Sequence, residues 1–527
     1  MNLHRPLFAA SILIAVAPGV AGAAVTPDQA KSVEGQLQTW YATTFNKPAK
    51  PGARAVQVEP AGERYKISVP LGLMGTGSTP LAITALANPA ENGRWIFDTL
   101  RLPQPFEYNM TIPQQRAPGQ KETPGPLTMH SSIVAASQEG SGVWDPTFAT
   151  PSTFKQTLTG VVSTSFTTGA TAAEGISQRN TIESTVTEAT MTPNGQDKVD
   201  IVSSGTLTGY GLKMETKEAG LVDVAAKSAE ATIKLNGVSR ERGVELVRAM
   251  SDLIASGVPG ISASAKGATP GTAAGPTPEA TPPAEQKLSP AGFAALRRII
   301  VALPDMGNSG SVDESATGLK VVAGSKTFGA AKVGITMTVK STAGVLQGAM
   351  GMSADGMAWP DFGLGDMAQL LPTHFVIRPT IAGVSGQDLY DLLLASVDAG
   401  QKGKSGPDDP ALKNRLMTRG GTVGIEALEF DVAGTSMSGT GTITVQGGPG
   451  GVPRAQNGSA HIVAKDFDKV TAVLAAQPML AQAMPAVVFM KGLAKQAEGG
   501  LVWDVTFDGT KLAVNGTDMT AMMGGAK

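Results

Sequence analysis

Alternating apolar and polar positions recur along most of this chain and predict β-strands. Val333, Ile335, Met337 and Val339, for example, alternate with lysine, glycine or threonine, and a period of two places such residues on one face of a strand. Segments rich in threonine, serine and valine, broken by glycine and asparagine, fill 127–236. They predict a long antiparallel meander.

The last strands carry the clearest pattern of the chain. Val423 and Ile425 alternate, and the apolar phase then slips by one position to Leu428 and Phe430. A slip of one residue reverses which face of a strand is buried, so the pattern predicts a β-bulge near Ala427. Farther on, a strand that contains four alternating apolar residues is followed by a turn at Asp508-Gly509.

Helical spacing appears in shorter stretches that lie between these strands. Apolar residues at this spacing, such as the stripe that ends with Trp40, predict helices over 27–45, 240–256 and 387–397, one that begins after Ser289, and two near the C-terminus over 467–476 and 486–495. Thr26 and Pro27 fit the N-cap and the first helical position of the first helix. The chain therefore predicts an α+β fold that is predominantly antiparallel β. We expect elongated, curved meander sheets with a few amphipathic helices packed on one face.

Residues 258–288 interrupt both periodicities with proline, alanine, threonine and glycine. Such a composition buries too little apolar surface to offset the entropy of ordering, so it predicts a disordered segment. It either separates an N-terminal β-rich region, 24–257, from a C-terminal one, 289–517, or is inserted into a helical hairpin whose flanking strands share one sheet. The tail 518–527 is predicted to be frayed.

The first 23 residues predict a cleavable signal peptide. Arg5 precedes an uncharged apolar run, and Ala21-Gly22-Ala23 fits the small-residue cleavage rule. The apolar run is too short for the roughly 20 residues of a membrane-spanning helix. We therefore expect export to the periplasm, with no transmembrane anchor after cleavage.

Composition narrows the chemistry further. The chain of 527 residues has no cysteine, which excludes disulfides, thiol catalysis and a lipid-modified N-terminal cysteine. Its formal charge of −2, from 42 basic and 44 acidic residues, is not the basic footprint of a nucleic-acid binder. Beyond the signal segment, the histidines His130, His374 and His461 stand apart in sequence, and no catalytic, metal or cofactor-binding motif is present.

The C-terminal region also resembles a known family. The block Gly424-Ile-Glu-Ala-Leu-Glu-Phe-Asp-Val-Ala-Gly434, the following Met437-Ser-Gly-Thr-Gly-Thr-Ile-Thr444, a helical pair and the closing Leu512-Ala-Val-Asn-Gly516 carry the resemblance. This order resembles domain of unknown function 2125, a family of uncharacterised Gram-negative envelope proteins similar to AsmA-like proteins. The resemblance is clearest over 350–517. It implies export, an elongated β-rich fold and a role in the cell envelope, and it supplies no catalytic residues.

Two functions are compatible with these features. The first is a non-enzymatic periplasmic protein that binds or handles a lipid or another amphiphile, since the alternating meander predicts a curved sheet whose one apolar face is covered by amphipathic helices such as 27–45 and 466–495. The second is a structural or partner-binding envelope protein without a small-molecule ligand. For the first, the sequence predicts an apolar groove near the C-terminal helices, lined by Met479, Met484, Phe489, Met490 and Trp503.

Overall fold

The computed structural model describes residues 25–45, 56–70, 82–112, 127–145, 150–168, 177–216, 220–255, 290–302, 307–402, 404, 409–447, 453–477, 480, 482, 484–497 and 499–520. The predicted signal peptide, the 258–288 segment and the last residues of the tail lie outside these ranges. Within them the fold is α+β and predominantly antiparallel β, as predicted.

The chain divides into two units. The first comprises Met1–Asp223, Lys234–Gly307 and Gly400–Lys404, and the second comprises Val224–Ile233, Asn308–Ala399 and Ser405–Lys527. The α-helices of the described ranges are α1 (Pro27–Phe45), α2 (Arg240–Ala255), α3 (Pro290–Ala302), α4 (Gly386–Gln401), α5 (Pro410–Arg419), α6 (Phe467–Ala475) and α7 (Met484–Leu493), and short 3-10 helices span Glu91–Gly93 and Gly365–Leu370.

Ten strands of the described ranges lie in the first unit, and a further strand, β11 (Gly220–Ser239), has residues in both. The ten are β1 (Gln57–Ala61), β2 (Arg64–Pro70), β3 (Ala82–Pro89), β4 (Trp95–Arg101), β5 (Phe106–Ile112), β6 (Leu127–Val134), β7 (Ser137–Asp145), β8 (Thr150–Thr168), β9 (Ser177–Pro193) and β10 (Lys198–Thr216). Strands β8, β9 and β10 form the predicted meander. However, β6 and β7 both pair with β8, because its 19 residues are long enough to hold two shorter strands end to end.

Helix α1 forms where the sequence predicts it. The Thr26 hydroxyl accepts a hydrogen bond from the Gln29 amide at 3.3 Å, which satisfies one of the free N–H groups of the first turn. Its buried face, with Val33 and Leu37, packs in a core with Tyr65, Phe97 and other apolar residues of β1–β4. The side chain of Trp40, on the same predicted stripe, lies outside the described residues.

The strands of the second unit in the described ranges are β12 (Ser309–Ala323), β13 (Lys326–Thr342), β14 (Val345–Asp355), β15 (His374–Ser385), β16 (Gly421–Val432), β17 (Thr435–Gly447), β18 (Pro453–Lys465), β19 (Lys495–Ala497), β20 (Gly500–Phe507), β21 (Leu512–Val514) and β22 (Thr517–Asp518). Strands β12 to β18 pair with their sequence neighbours, and β20 then pairs with β18. Each of these pairs is antiparallel.

The predicted bulge is present in β16. Ile425 lies opposite Gly441 and Leu428 lies opposite Gly439, so three steps along β16 match two along β17. The extra residue keeps the apolar side chains on both sides of it on one face of the sheet. The predicted turn after β20 is also present: the Asp508 carboxylate accepts the amide of Lys511 at 2.7 Å, and Gly509 has φ of 89°.

Helix α5 has no counterpart among the predicted elements, because its sequence lacks a clear apolar period. It begins at Pro410, where the Asp409 carboxylate accepts the Leu412 amide at 3.0 Å. The buried carboxylate of Asp388 on α4 accepts a hydrogen bond from Arg419 at 2.9 Å and lies 3.5 Å from Arg415. These ion pairs join α5 to α4.

Candidate functional site

One face of the second unit's sheet carries apolar side chains that lie open to solvent. The pairing register aligns Ile335, Met352 and Ile377 across β13–β15, and continues through Leu428 to Gly439 on β17. Residues directly opposite each other in an antiparallel pair share a face. Each strand therefore contributes to the same apolar surface.

A second row lies four residues farther along β13. It consists of Val339, Gly348, Ile381, Val423 and Ile443, again in register over five strands. We call the exposed large side chains of this surface the open apolar face: Ile335, Met337, Val339, Met350, Met352, Ile381, Val423, Ile425 and Ile443.

The open apolar face measures about 13 Å along the strands and about 19 Å across them, from a rise near 3.3 Å per residue and a strand spacing near 4.8 Å. Its nine side chains are all aliphatic or methionine, and each is between 36% and 50% exposed. The opposite face of the same strands carries polar side chains such as Thr336, Thr338 and Lys340. Exposure of so many apolar side chains in register, rather than singly, indicates a binding surface.

Farther across the sheet, helices cover the same face. The register continues from Gly439 through Ile462 to Trp503 on β20. Phe467 of α6 packs edge-to-face on Trp503 with ring centroids 5.7 Å apart, and Leu493 of α7 packs on the same buried cluster. The apolar face is thus covered over β18, β20 and the Met437 end of β17, and it is open where the nine exposed side chains of β13–β17 lie.

The residues of the predicted groove lie on α7 and β20, apart from Met479, which lies outside the described residues. Trp503 is only 4% exposed and donates its indole N–H to the Met490 carbonyl oxygen at 2.7 Å, so it forms core beneath α7. Met484 is half-buried, whereas Phe489 and Met490 are exposed. Of the predicted groove residues, the structure brings Met490 and Trp503 together through the indole hydrogen bond.

Sequence reasoning did not identify the open apolar face as a site. The alternation of Ile335, Met337 and Val339 was a visible signal, and it correctly predicts a strand with one apolar face. Nothing in that pattern distinguishes a face that helices cover from one that stays open. That distinction depends on where α6 and α7 pack.

A polar pocket of about 450 Å³ lies in the second unit, and His374 lines it. The ring Nδ1 contacts the Asp355 carboxylate, and Nε2 lies 3.5 Å from Glu429. Burial alone would lower the pKa of His374, but the hydrogen bond to Asp355, its charge, the hydrogen bond to Glu429 and the charge of Asp431 together raise it. The site therefore favours an imidazolium held between carboxylates, which is a poor arrangement for a general base.

A second cavity, of about 690 Å³, lies between α2 and α3 in the first unit. Arg298 of α3 donates to Glu245 and to Asp252 of α2, both at 2.6 Å. The hydrogen bond to Glu245, followed by that to Asp252, raises the pKa of Arg298. The guanidinium therefore joins the two helices and has a structural role.

The described ranges contain neither a cluster of metal ligands nor a membrane-spanning helix. No group of three or more histidine, aspartate or glutamate side chains there is arranged to hold a metal ion. No helix in the part of the chain that the structure describes has the length and apolar character needed to cross a bilayer.

Comparison with known proteins gives no match to a protein-family model, a curated protein or a solved structure. The fold and the geometry of the open apolar face are therefore the basis for a functional proposal.

Proposed function

We propose that this chain is a non-enzymatic envelope protein that binds the acyl chains of a lipid or similar amphiphile on the open apolar face. In this proposal, the signal segment at 1–23 directs the protein to the periplasm. The observation that supports it is the in-register set of nine exposed apolar side chains on five consecutive strands.

The chemistry of these side chains favours an acyl chain over a protein surface. Energetic centres of protein interfaces are enriched in tryptophan, tyrosine and arginine, and none of the nine side chains is of these types. Met337, Met350 and Met352 have flexible, polarisable side chains that adapt to a ligand without a fixed shape. A methylene chain is such a ligand.

The size of the surface sets the expected affinity. A single myristoyl chain enters a bilayer with an association constant of about 10⁴ M⁻¹. An open sheet face contacts a chain on one side only, so we expect a dissociation constant on the order of 0.1–1 mM for one chain. A face about 19 Å wide has room for two chains side by side, and we expect two-chain phospholipids to bind more tightly.

Two neighbouring positions on β13 provide a matched test. Met337→Glu places a carboxylate on the open apolar face, and Thr338→Glu places the same group one residue away on the polar face. Both positions are exposed, so neither change buries a charge in the folded protein without ligand. A carboxylate under an acyl chain loses water without gaining a partner, which is costly.

The measurement is a fluorescence titration of the full chain with a fluorescent fatty acid and with a short-chain phospholipid below its micelle concentration. We expect Met337→Glu to weaken binding at least tenfold and Thr338→Glu to change it by less than about twofold. The proposal is wrong if the parent protein binds neither probe, or if the two variants bind equally well.

A further inference from the structure

Helix α7 presents apolar side chains to solvent. Val488, Phe489 and Met490 are 60%, 44% and 43% exposed, and Pro485 and Ala486 are exposed beside them. A helix on the surface of a globular protein normally turns its apolar side inward and its polar side to water. In α7 the outward positions are apolar instead, which is typical of a helix that contacts a nonpolar medium.

The helix is also held firmly in place. Its Met490 carbonyl accepts the indole N–H of Trp503 at 2.7 Å, and Leu493 packs on the buried cluster beneath. Asn515 donates to the Leu493 carbonyl at 2.7 Å and so satisfies a free carbonyl of the last turn. The exposed side chains are therefore presented by a fixed element that is bonded at its C-terminal end.

The small area of this surface favours a lipid bilayer over a protein as its binding partner. A helix of ten residues is about 15 Å long and about 10 Å wide, which gives an outward area on the order of 150 Å². A standard protein interface buries about 800 Å² on each partner. An interfacial helix, in contrast, gains by inserting a few apolar side chains at the boundary between headgroups and acyl chains.

The charges around α7 identify the kind of bilayer. Among the described residues of α6, α7 and β19, Lys469 contacts Asp466 at 2.9 Å, Lys491 contacts Asp468, and Lys495 contacts Asp504 at 3.7 Å. Paired charges leave little net attraction for anionic headgroups. Binding that is driven by Val488, Phe489 and Met490 should therefore not require anionic lipid.

We infer that the outward surface of α7, formed by Val488, Phe489 and Met490, docks on the surface of a phospholipid bilayer. Its contact is apolar and does not depend on anionic lipid. Helix α7 packs on the same face of the sheet that carries the open apolar face. A bilayer at this helix is therefore a source of the amphiphile that the open apolar face binds, and in this respect the inference rests on the proposed function.

Vesicle flotation of the full-length mature chain tests the inference. With neutral phosphatidylcholine vesicles, we expect the parent protein to float and Phe489→Glu and Val488→Glu to lower the bound fraction at least tenfold. Ile96→Glu is the matched control, because Ile96 is 51% exposed on β4 of the first unit, and it should float like the parent. Phosphatidylglycerol vesicles and 0.5 M salt should change parent binding by less than about twofold.

A direct readout comes from Phe489→Trp. On addition of vesicles, the fluorescence of the introduced tryptophan, taken as the difference from the parent protein, should shift to the blue and be quenched by lipids brominated in the acyl chain. The fluorescence of the tryptophan introduced by Ile96→Trp should do neither. The inference is overturned if the parent does not float, if Phe489→Glu floats like the parent, or if only anionic vesicles bind. If vesicle binding fails while the soluble acyl probes still bind and discriminate Met337→Glu from Thr338→Glu, docking is wrong and the proposed function stands.

Discussion

Replacement of Trp503 by phenylalanine tests whether α7 is held by the core as the structure indicates. The change removes the indole N–H that the Met490 carbonyl accepts at 2.7 Å, and it leaves a gap beside Phe467. The lost hydrogen bond costs about 1 kcal/mol, and the smaller ring at a buried site costs about 1–2 kcal/mol more. We expect Trp503→Phe to lower the free energy of unfolding by about 2–3 kcal/mol.

Trp359 provides the control for this prediction. Its indole N–H donates to the Pro372 carbonyl at 2.6 Å, but the residue is 38% exposed, so water can replace the lost donor. Trp359→Phe should therefore cost less than about 1 kcal/mol. Urea unfolding followed by far-UV circular dichroism measures both, and hydrogen exchange of 484–497 should be faster in Trp503→Phe alone. Equal losses in the two variants, or unchanged exchange in that segment, would refute the reasoning.

Two further predictions concern the second unit. The pKa of His374 is raised in the folded protein, so the charged ring stabilises the fold fully below the unfolded pKa near 6.5, and this stabilisation is lost as pH rises through the folded pKa. The difference in unfolding free energy between the parent and His374→Gln should therefore shrink from pH 5.5 to pH 9, and a constant difference in urea unfolding would contradict this. Deletion of Ala427 removes the extra residue of the β16 bulge and leaves Ile425 and Leu428 two positions apart, so the apolar side chains stay on one face. Deletion of Gly424 instead makes Val423 and Ile425 adjacent and turns one of them to the polar face, so we expect it to cost at least about 3 kcal/mol and clearly more than the Ala427 deletion; similar unfolding midpoints for the two would contradict the assigned register.

The elements that the sequence predicted well are those whose signal is local. The slip in phase between Ile425 and Leu428 located the bulge because the side-chain period of a strand is two. Thr26 and Pro27 located the start of α1 because caps act on adjacent residues. In both cases the information lies within a few positions of the element that it determines.

The elements that could not be predicted depend on distant residues. Helix α5 is joined to α4 by the Arg415 and Arg419 contacts to the buried Asp388, which no periodicity reports. The carboxylates of Asp355 and Glu429 reach His374 only because three strands align. For the candidate site, alternation predicted an apolar face on β13, but its openness follows from where the covering helices pack.

Photo-crosslinking with a fatty acid that carries a diazirine in its acyl chain tests the proposed binding surface most directly, since mass spectrometry can locate each adduct to a residue. The proposal predicts adducts on alternate residues of β13, namely Ile335, Met337 and Val339, with few on Thr336 and Thr338, and it predicts that excess unlabelled fatty acid suppresses them. Adducts spread evenly over both faces of β13, or absent from the strand, would contradict the proposal that the open apolar face holds an acyl chain.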